Sequence, residues 1–186
     1  MKIVHRLSEQ AERVKLVTYN LKRAHSGLRK ELEEKDGDFT FKTGSSRYLK
    51  QIENLHIGLF REPLYPWLVW LYRFKAHELM SVIVDKDDNV IGYDLFFFQP
   101  SEKNEKVIHE LYVGVKTEYQ DRGFGVKLRL FSAKCYDDGY LDGISTLASL
   151  DNIKALRTAQ KAGFAITKMS AKPVAHYLFK NLFRRY

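Results

Sequence analysis

The chain has 186 residues, 45% of them apolar and 29% charged, and a net charge of +8. That length suits one compact domain burying roughly 70% of its unfolded surface, and no stretch is poor enough in hydrophobics to read as a disordered tail. Lys and Arg exceed Asp and Glu by 31 to 23 but are spread along the chain, so the excess suits an anionic small molecule or a solvated face, and no nucleic-acid partner is expected.

Cys135 is the only cysteine, so no internal disulfide can form, and a reducing cytoplasm is the expected compartment. Residues 1–6 have no apolar signal region. The apolar run at 67–72 is far short of the roughly 20 residues a spanning helix needs, so no membrane span is expected. His5, His25, His56, His77 and His176 are scattered without ligand spacing, which predicts no metal site.

Residues 1–7 alternate Ile3, His5 and Leu7 against Lys2, Val4 and Arg6, which predicts a short first strand. Ser8 can cap a helix whose apolar positions, from Ala11 through Leu21 to Leu32, carry it to about residue 34. Asp36-Gly37-Asp38 is a turn signal, Phe39-Thr40-Phe41 a brief extended piece, Gly44-Ser45-Ser46 a loop and 47–60 a helix. Residues 64–76 carry Tyr65, Trp67, Trp70, Tyr72 and Phe74, and read either as a hydrophobic helix on a sheet or as a lid over a substrate pocket.

The period then changes to two. Residues 79–84 and 90–98 flank a hairpin turn, and 107–115 follow as a third strand after a polar turn. Phe96-Phe97-Phe98 must bury on both faces, as core, pocket wall or a homodimer contact. A helix runs from Gly123 to about Asp138, a strand spans 144–150, and Asp151 or Asn152 caps a short helix ended by Gly163. Residues 164–169 and 174–179 read as closing strands. The fold class is α/β with a mixed sheet: an antiparallel meander followed by βαβα units, with helices on both faces. The expected organisation is an N-terminal strand, helices and a lid over 1–78, a core over 79–170, and a closing strand with a basic tail (Arg184, Arg185) over 171–186.

The sharpest local feature is Gln120-Asp121-Arg122-Gly123-Phe124-Gly125, between a strand and a helix. Glycines let the backbone approach a ligand closely, and a helix N-terminus presents unpaired N–H groups and a positive dipole end. Together these make a pyrophosphate cradle, to which Arg122 adds a cation. No Lys-Ser/Thr follows, so it is not a P-loop, and the third glycine of a dinucleotide fingerprint is missing.

The stretch from Leu111-Tyr112-Val113-Gly114-Val115 to Gln120-Asp121-Arg122-Gly123-Phe124-Gly125 resembles the acetyl-CoA motif of the GNAT (GCN5-related N-acetyltransferase) superfamily. A second block is similar too: Asn152, Ala155, then Lys161-Ala162-Gly163-Phe164. The resemblance covers roughly 79–170. It implies an acyl-CoA-dependent N-acyltransferase using acetyl-CoA as donor. Backbone amides of Gln120, Asp121, Arg122, Gly123, Phe124 and Gly125, with Val126 continuing the helix start, would hold the pyrophosphate. Val113 and Val115 would pair with the pantetheine arm in a splay between strands, and Asn152 would bond the pantetheine amides. The Val113 N–H would serve the carbonyl oxygen as it gains charge.

A base must take a proton from the attacking amine. His109 and Glu110, just ahead of Leu111-Tyr112-Val113, are the candidates, and Glu110 is favoured because similar enzymes often place a carboxylate there against the acceptor amine. Adjacent strand residues point to opposite faces, so at most one meets the acceptor directly. Many relatives carry a Tyr seven residues after the Asn as general acid, where this chain has Ala159. The expected acceptor is a primary amine of a small molecule, such as an amino-sugar or nucleotide-linked sugar. A protein or peptide acceptor, or a non-catalytic CoA-binding module, stands as the alternative.

Overall fold

A computed structural model describes the backbone of residues 2–182 and the side chains of residues 11–182. Met1, Arg184 and Arg185 lie outside the described residues. The chain begins with helix α1 (Lys2–Arg23), followed by the hairpin β1 (Glu33–Asp36) and β2 (Phe39–Thr43). Two helices, α2 (Leu49–Phe60) and α3 (Pro66–Leu79), lead into the meander β3 (Met80–Val84), β4 (Val90–Phe97) and β5 (Val107–Val115). Then come α4 (Phe124–Tyr136), β6 (Gly143–Ser149), α5 (Ile153–Lys161), β7 (Ala165–Ala171) and β8 (Val174–Asn181). All eight strands form one open sheet in the order β1-β2-β3-β4-β5-β6-β8-β7.

The meander and the βαβα half stand where the sequence predicts them. The N-terminus does not. The expected first strand is part of α1, because Ile3 and Leu7 are four residues apart as well as alternate, and seven residues cannot separate the two periods. Nor does the helix reach residue 34. It stops at Arg23, Gly27 turns the chain at φ +88°, and Ala24 and Leu28 are fully buried. Residues 33–36, Glu-Glu-Lys-Asp, are instead an edge strand paired with β2 around Gly37. A charged edge strand has no apolar alternation to announce it and resists pairing with other chains.

Phe96-Phe97-Phe98 are core. Phe96 meets Tyr136 of α4, Phe97 meets Trp67 and His109 on the other face, and Phe98 lies under Arg23 of α1. These contacts within the chain leave no surface there for a homodimer. The 64–76 segment is helical from Pro66, as part of α3, with Leu68, Leu71 and Tyr72 buried and Trp70 and Phe74 exposed. Each fully buried large apolar side chain contributes about 1.5–3 kcal/mol.

One junction positions the site. β5 and β6 are parallel neighbours, but they pair only from Val107↔Gly143 to Glu110↔Thr146. Beyond that point β6 stays with β8, through Ser149↔Ala175, while β5 stays with β4. The register slips there: Tyr112 lies opposite Leu95 and Glu110 opposite Phe96, which leaves Leu111 as an extra, bulged residue. A bulge bends its strand and raises the local twist. The two strands therefore splay, and the edge of β5 from Leu111 to Val115 is free of β6.

Candidate active site

The splay opens into a cleft of about 700 Å³. Val113, Gly114 and Val115 form one wall, the turn from Tyr119 to Val126 its end, and Asn152 to Thr158 of α5 the opposite wall. Nine of the predicted binding residues line it: Val113, Val115, Gln120, Asp121, Gly123, Phe124, Gly125, Val126 and Asn152. Arg122 does not. Its guanidinium lies over the Tyr119 ring at 5.4 Å.

The turn is shaped by two features. Gln120 donates from Nε2 to the Val115 carbonyl at 2.9 Å, which folds the turn back onto the strand. Gly123, the residue before α4, sits at φ +79°, where a side chain would be strained. The first amides of α4 have no intrahelical acceptor, so they remain available to an anion. A Cβ on Gly125 would meet Thr158 Cγ2 at 3.2 Å, so the glycine keeps α4 and α5 close at the mouth of the cleft. Asn152 caps α5 by accepting from the Ala155 N–H at 3.0 Å.

The opposite wall is basic. Lys154, Arg157 and Lys161 line the cleft from α5, Arg129 lines it from α4, and Asp121 is the single acid among the lining residues. Lys154 also ties α5 to the turn, bonding Gln120 Oε1 and Asp121 Oδ1, each at 3.0 Å. The stripe was overlooked in the sequence, although spacings of three and four residues put 154, 157 and 161 on one helical face. Free helix-start amides, a left-handed glycine and four cations around one acid are the donor set that a pyrophosphate-bearing ligand needs.

His109 and Glu110 point to opposite faces, as adjacent strand residues should, and neither lines the cleft. Glu110 is 2% exposed and is held by Arg129, whose Nε bonds both carboxylate oxygens at 3.0 Å and whose Nη2 bonds Oε2 at 2.8 Å. Asp94 of β4 lies close by, accepting from Ser132 Oγ at 2.8 Å. Burial, then the charge of Glu110, pushes the Asp94 carboxyl well above the usual range. Ser132 also bonds Ser81, which accepts from Arg29. Arg129 and this polar seam beneath α4 went unseen in the sequence, because single polar residues within an apolar helix and strand carry no pattern.

His109 is 3% exposed, and its Nδ1 is 2.8 Å from Ser145 Oγ. Burial lowers its pKa to about 4, so the imidazole is neutral at working pH. The Ser145 hydroxyl also acts on the Tyr177 phenol. Tyr177 in turn donates to Glu102 Oε1 at 2.6 Å, and Glu102 Oε2 is buried without a partner among the described residues. On this same face Tyr112, His56 and Phe60 pack together, with His56 Nδ1 at 2.7 Å from the Tyr93 hydroxyl. Among the described residues no group of His, Cys, Asp and Glu is arranged to hold a metal, and no helix is long and apolar enough to cross a membrane.

No curated protein matches the chain by sequence. Solved structures match its fold. One is a chain of the NatC complex bound to Gag peptide and CoA (TM-score 0.65, 20% identity, covering 78% of this chain and 99% of that one). The ribosomal-protein-S5-alanine acetyltransferase of Vibrio fischeri is similar at a TM-score of 0.64 (15% identity, 82% and 97% covered). So is the dodecameric spermidine N-acetyltransferase of Vibrio cholerae at 0.61 (17% identity, 79% and 95% covered). The model of the acetyltransferase (GNAT) family matches residues 49–164, more than half the chain. With that match laid over the splayed sheet, the chain belongs to the GNAT family of acetyl-CoA-dependent N-acetyltransferases.

Proposed function

We propose that the protein transfers an acetyl group from acetyl-CoA to a primary amine of a small molecule, by direct attack when both substrates are bound. The observation that carries this reading is the cleft along the free edge of β5, closed at one end by the α4 N-terminus and walled by basic α5. Val113 and Val115 would hold the pantetheine arm by their main chain, and the amides from Gln120 to Val126 the pyrophosphate. Lys154, Arg157 and Lys161 would add charge complementarity. Asn152, engaged as a cap through its side-chain oxygen, still has its amide N–H groups for the arm. Acetyl-CoA supplies the activated acyl carbon. The chain's own part is to place that carbon at the splay and to exclude water from it.

The acceptor side is the opposite face of the sheet. Tyr112 stands there with Phe60, and its phenol is raised by burial and by the nearby Tyr65 and Glu62. Aromatic walls with an acidic group suit a small cationic amine. His109 is the better base candidate of the two, since its Nδ1 leads through Ser145 and Tyr177 to the Glu102 carboxylate, while both oxygens of Glu110 are taken. The single buried thiol supports a cytoplasmic setting.

A second reading, a peptide amine as acceptor, is favoured by the NatC neighbour, whose structure holds a Gag peptide. The test is release of CoA from acetyl-CoA with glucosamine, spermidine and a peptide with a free N-terminus. Turnover with either small amine supports the first reading. Turnover with the peptide alone replaces it by the second.

A further inference from the structure

Arg129 is a guanidinium at the deep end of the cleft. It is 7% exposed and lines the cleft from α4. It is bound to Glu110, the last β5 residue still paired with β6, and Leu111 bulges immediately after. A guanidinium has five N–H groups. Nε–H and one Nη2–H go to Glu110, and one Nη1–H makes a long contact of 3.4 Å with the Ala155 carbonyl. One hydrogen on each Nη is left without a partner among the described residues. Phe164, 5.9 Å from the guanidinium carbon to the ring centre, and the Glu110 fork fix the side chain's direction.

The cleft runs from the amides of the α4 N-terminus, along the free β5 edge, to this apex. That edge is four strand steps long, about 13 Å. A ligand with its pyrophosphate on the amides and an extended arm along β5 has its far end, the thiol, beside Arg129. We propose that Arg129 is a catalytic residue whose free Nη hydrogens bind the CoA sulfur and stabilise the thiolate as it departs, and that Glu110 is the positioning residue that holds the guanidinium there. This rests on the reading that the cleft takes acetyl-CoA.

In the transfer the acceptor nitrogen bonds the acetyl carbon, and the carbon–sulfur bond breaks with its electron pair left on sulfur. The proton shed by nitrogen goes to the base on the acceptor face, His109 in the reading above. Arg129 neither gains nor loses a proton; it supplies fixed positive charge where negative charge develops. The pair is not the only charge present. Asp94 of β4 faces it, its carboxyl pushed well above the usual range by burial and by the charge of Glu110, and Lys154, Arg157, Lys161 and Asp121 line the same cleft. Those groups are unchanged in the variants below.

The test needs no acceptor. The thiol of bound CoA is titrated through thiolate absorbance near 240 nm, with desulfo-CoA as the blank, in the parent, Arg129→Met, Arg129→Lys and Glu110→Gln. The expected result is a bound thiol that ionises at least about tenfold more readily than that of free CoA, one pKa unit. Arg129→Met should abolish the gain, Arg129→Lys should keep part of it, and Glu110→Gln, which keeps an acceptor oxygen to hold the guanidinium but removes the opposing anion, should increase it. A purely structural pair would move Arg129→Met and Glu110→Gln in the same direction, and that result overturns the proposal. So does a parent whose bound thiol titrates like free CoA. If CoA does not bind the parent at all, the reading of the cleft itself fails, a result distinct from an unshifted thiol. Should Arg129→Met not fold, Arg129→Lys and Glu110→Gln still carry the opposite-sign comparison.

Discussion

Glu110 and Arg129 set a full ion pair, 2% and 7% exposed at the side chains, into the seam between β5 and α4. Removing one partner of such a pair typically costs 3–5 kcal/mol, because the other charge stays buried. Arg129→Met is therefore expected to lower stability by about that amount, and Glu110→Met with Arg129→Met together by much less; urea unfolding of the two variants checks it. Asp94 contributes the opposite way. Its carboxyl is raised in the folded state, so its share of stability falls as pH climbs past the ordinary carboxylate range. Asp94→Asn keeps the Ser132 contact and removes that cost, so the unfolding midpoint at pH 7 should rise.

His109 depends on pH in the opposite sense to Asp94. Its folded pKa of about 4 lies below the ordinary 6.5, so the unfolded chain binds the extra proton between those values. Stability from the neutral imidazole is complete above pH 6.5 and lost as pH falls toward 4, by about 3 kcal/mol. His56 is lowered by burial and acts in the same sense, while Asp94 acts against it. The clean comparison is the parent against His109→Gln: from pH 7 to pH 4.5 the parent should lose more stability than the variant. Equal losses would mean that His109 takes up its proton as readily folded as unfolded.

At the scale of elements, close packing is sharpest where strands meet. A Cβ on Gly143, the first residue of β6, would come within 2.2 Å of Phe179 Cζ and 2.7 Å of the Lys180 carbonyl. Since the second contact is backbone, Gly143→Ala cannot be relieved by a rotamer change and should unfold at a clearly lower temperature. Asn152→Ala should cost about 1 kcal/mol through loss of the α5 cap. The same scale shows what the sequence carried. Strand β5 was legible to the residue and helix α4 to within about two residues, because period-two and helical patterns there are long and bounded by turn glycines. The cleft residues were legible because Gly123 marks a left-handed turn, Gly125 a close approach of two helices and Asn152 a helix cap. The N-terminal helix was misread over seven residues that fit both periods, and β1 was missed because its side chains are all charged. Arg129 was missed for another reason: what makes it distinctive is a tertiary contact with a residue 19 positions away.

For the whole molecule, function follows from one mismatch in an otherwise continuous sheet. Strands β1 to β5 form one antiparallel run, β6, β8 and β7 another, and the two are joined over only four residue pairs. The first half brings the aromatic face with Tyr112 and His109, the second the basic helix α5, and the gap between them admits a long, anionic, extended ligand. The central claim is that acetyl-CoA occupies this gap. Its most direct test is calorimetric titration of acetyl-CoA into the parent and into Gly125→Val, with the unfolding midpoint of each unliganded protein as the control for folding. The account predicts saturable binding by the parent and a loss of at least about tenfold in affinity, roughly 1.4 kcal/mol, when the valine fills the mouth beside Thr158. No binding by the parent at millimolar acetyl-CoA, or equal binding by a folded Gly125→Val, would contradict it.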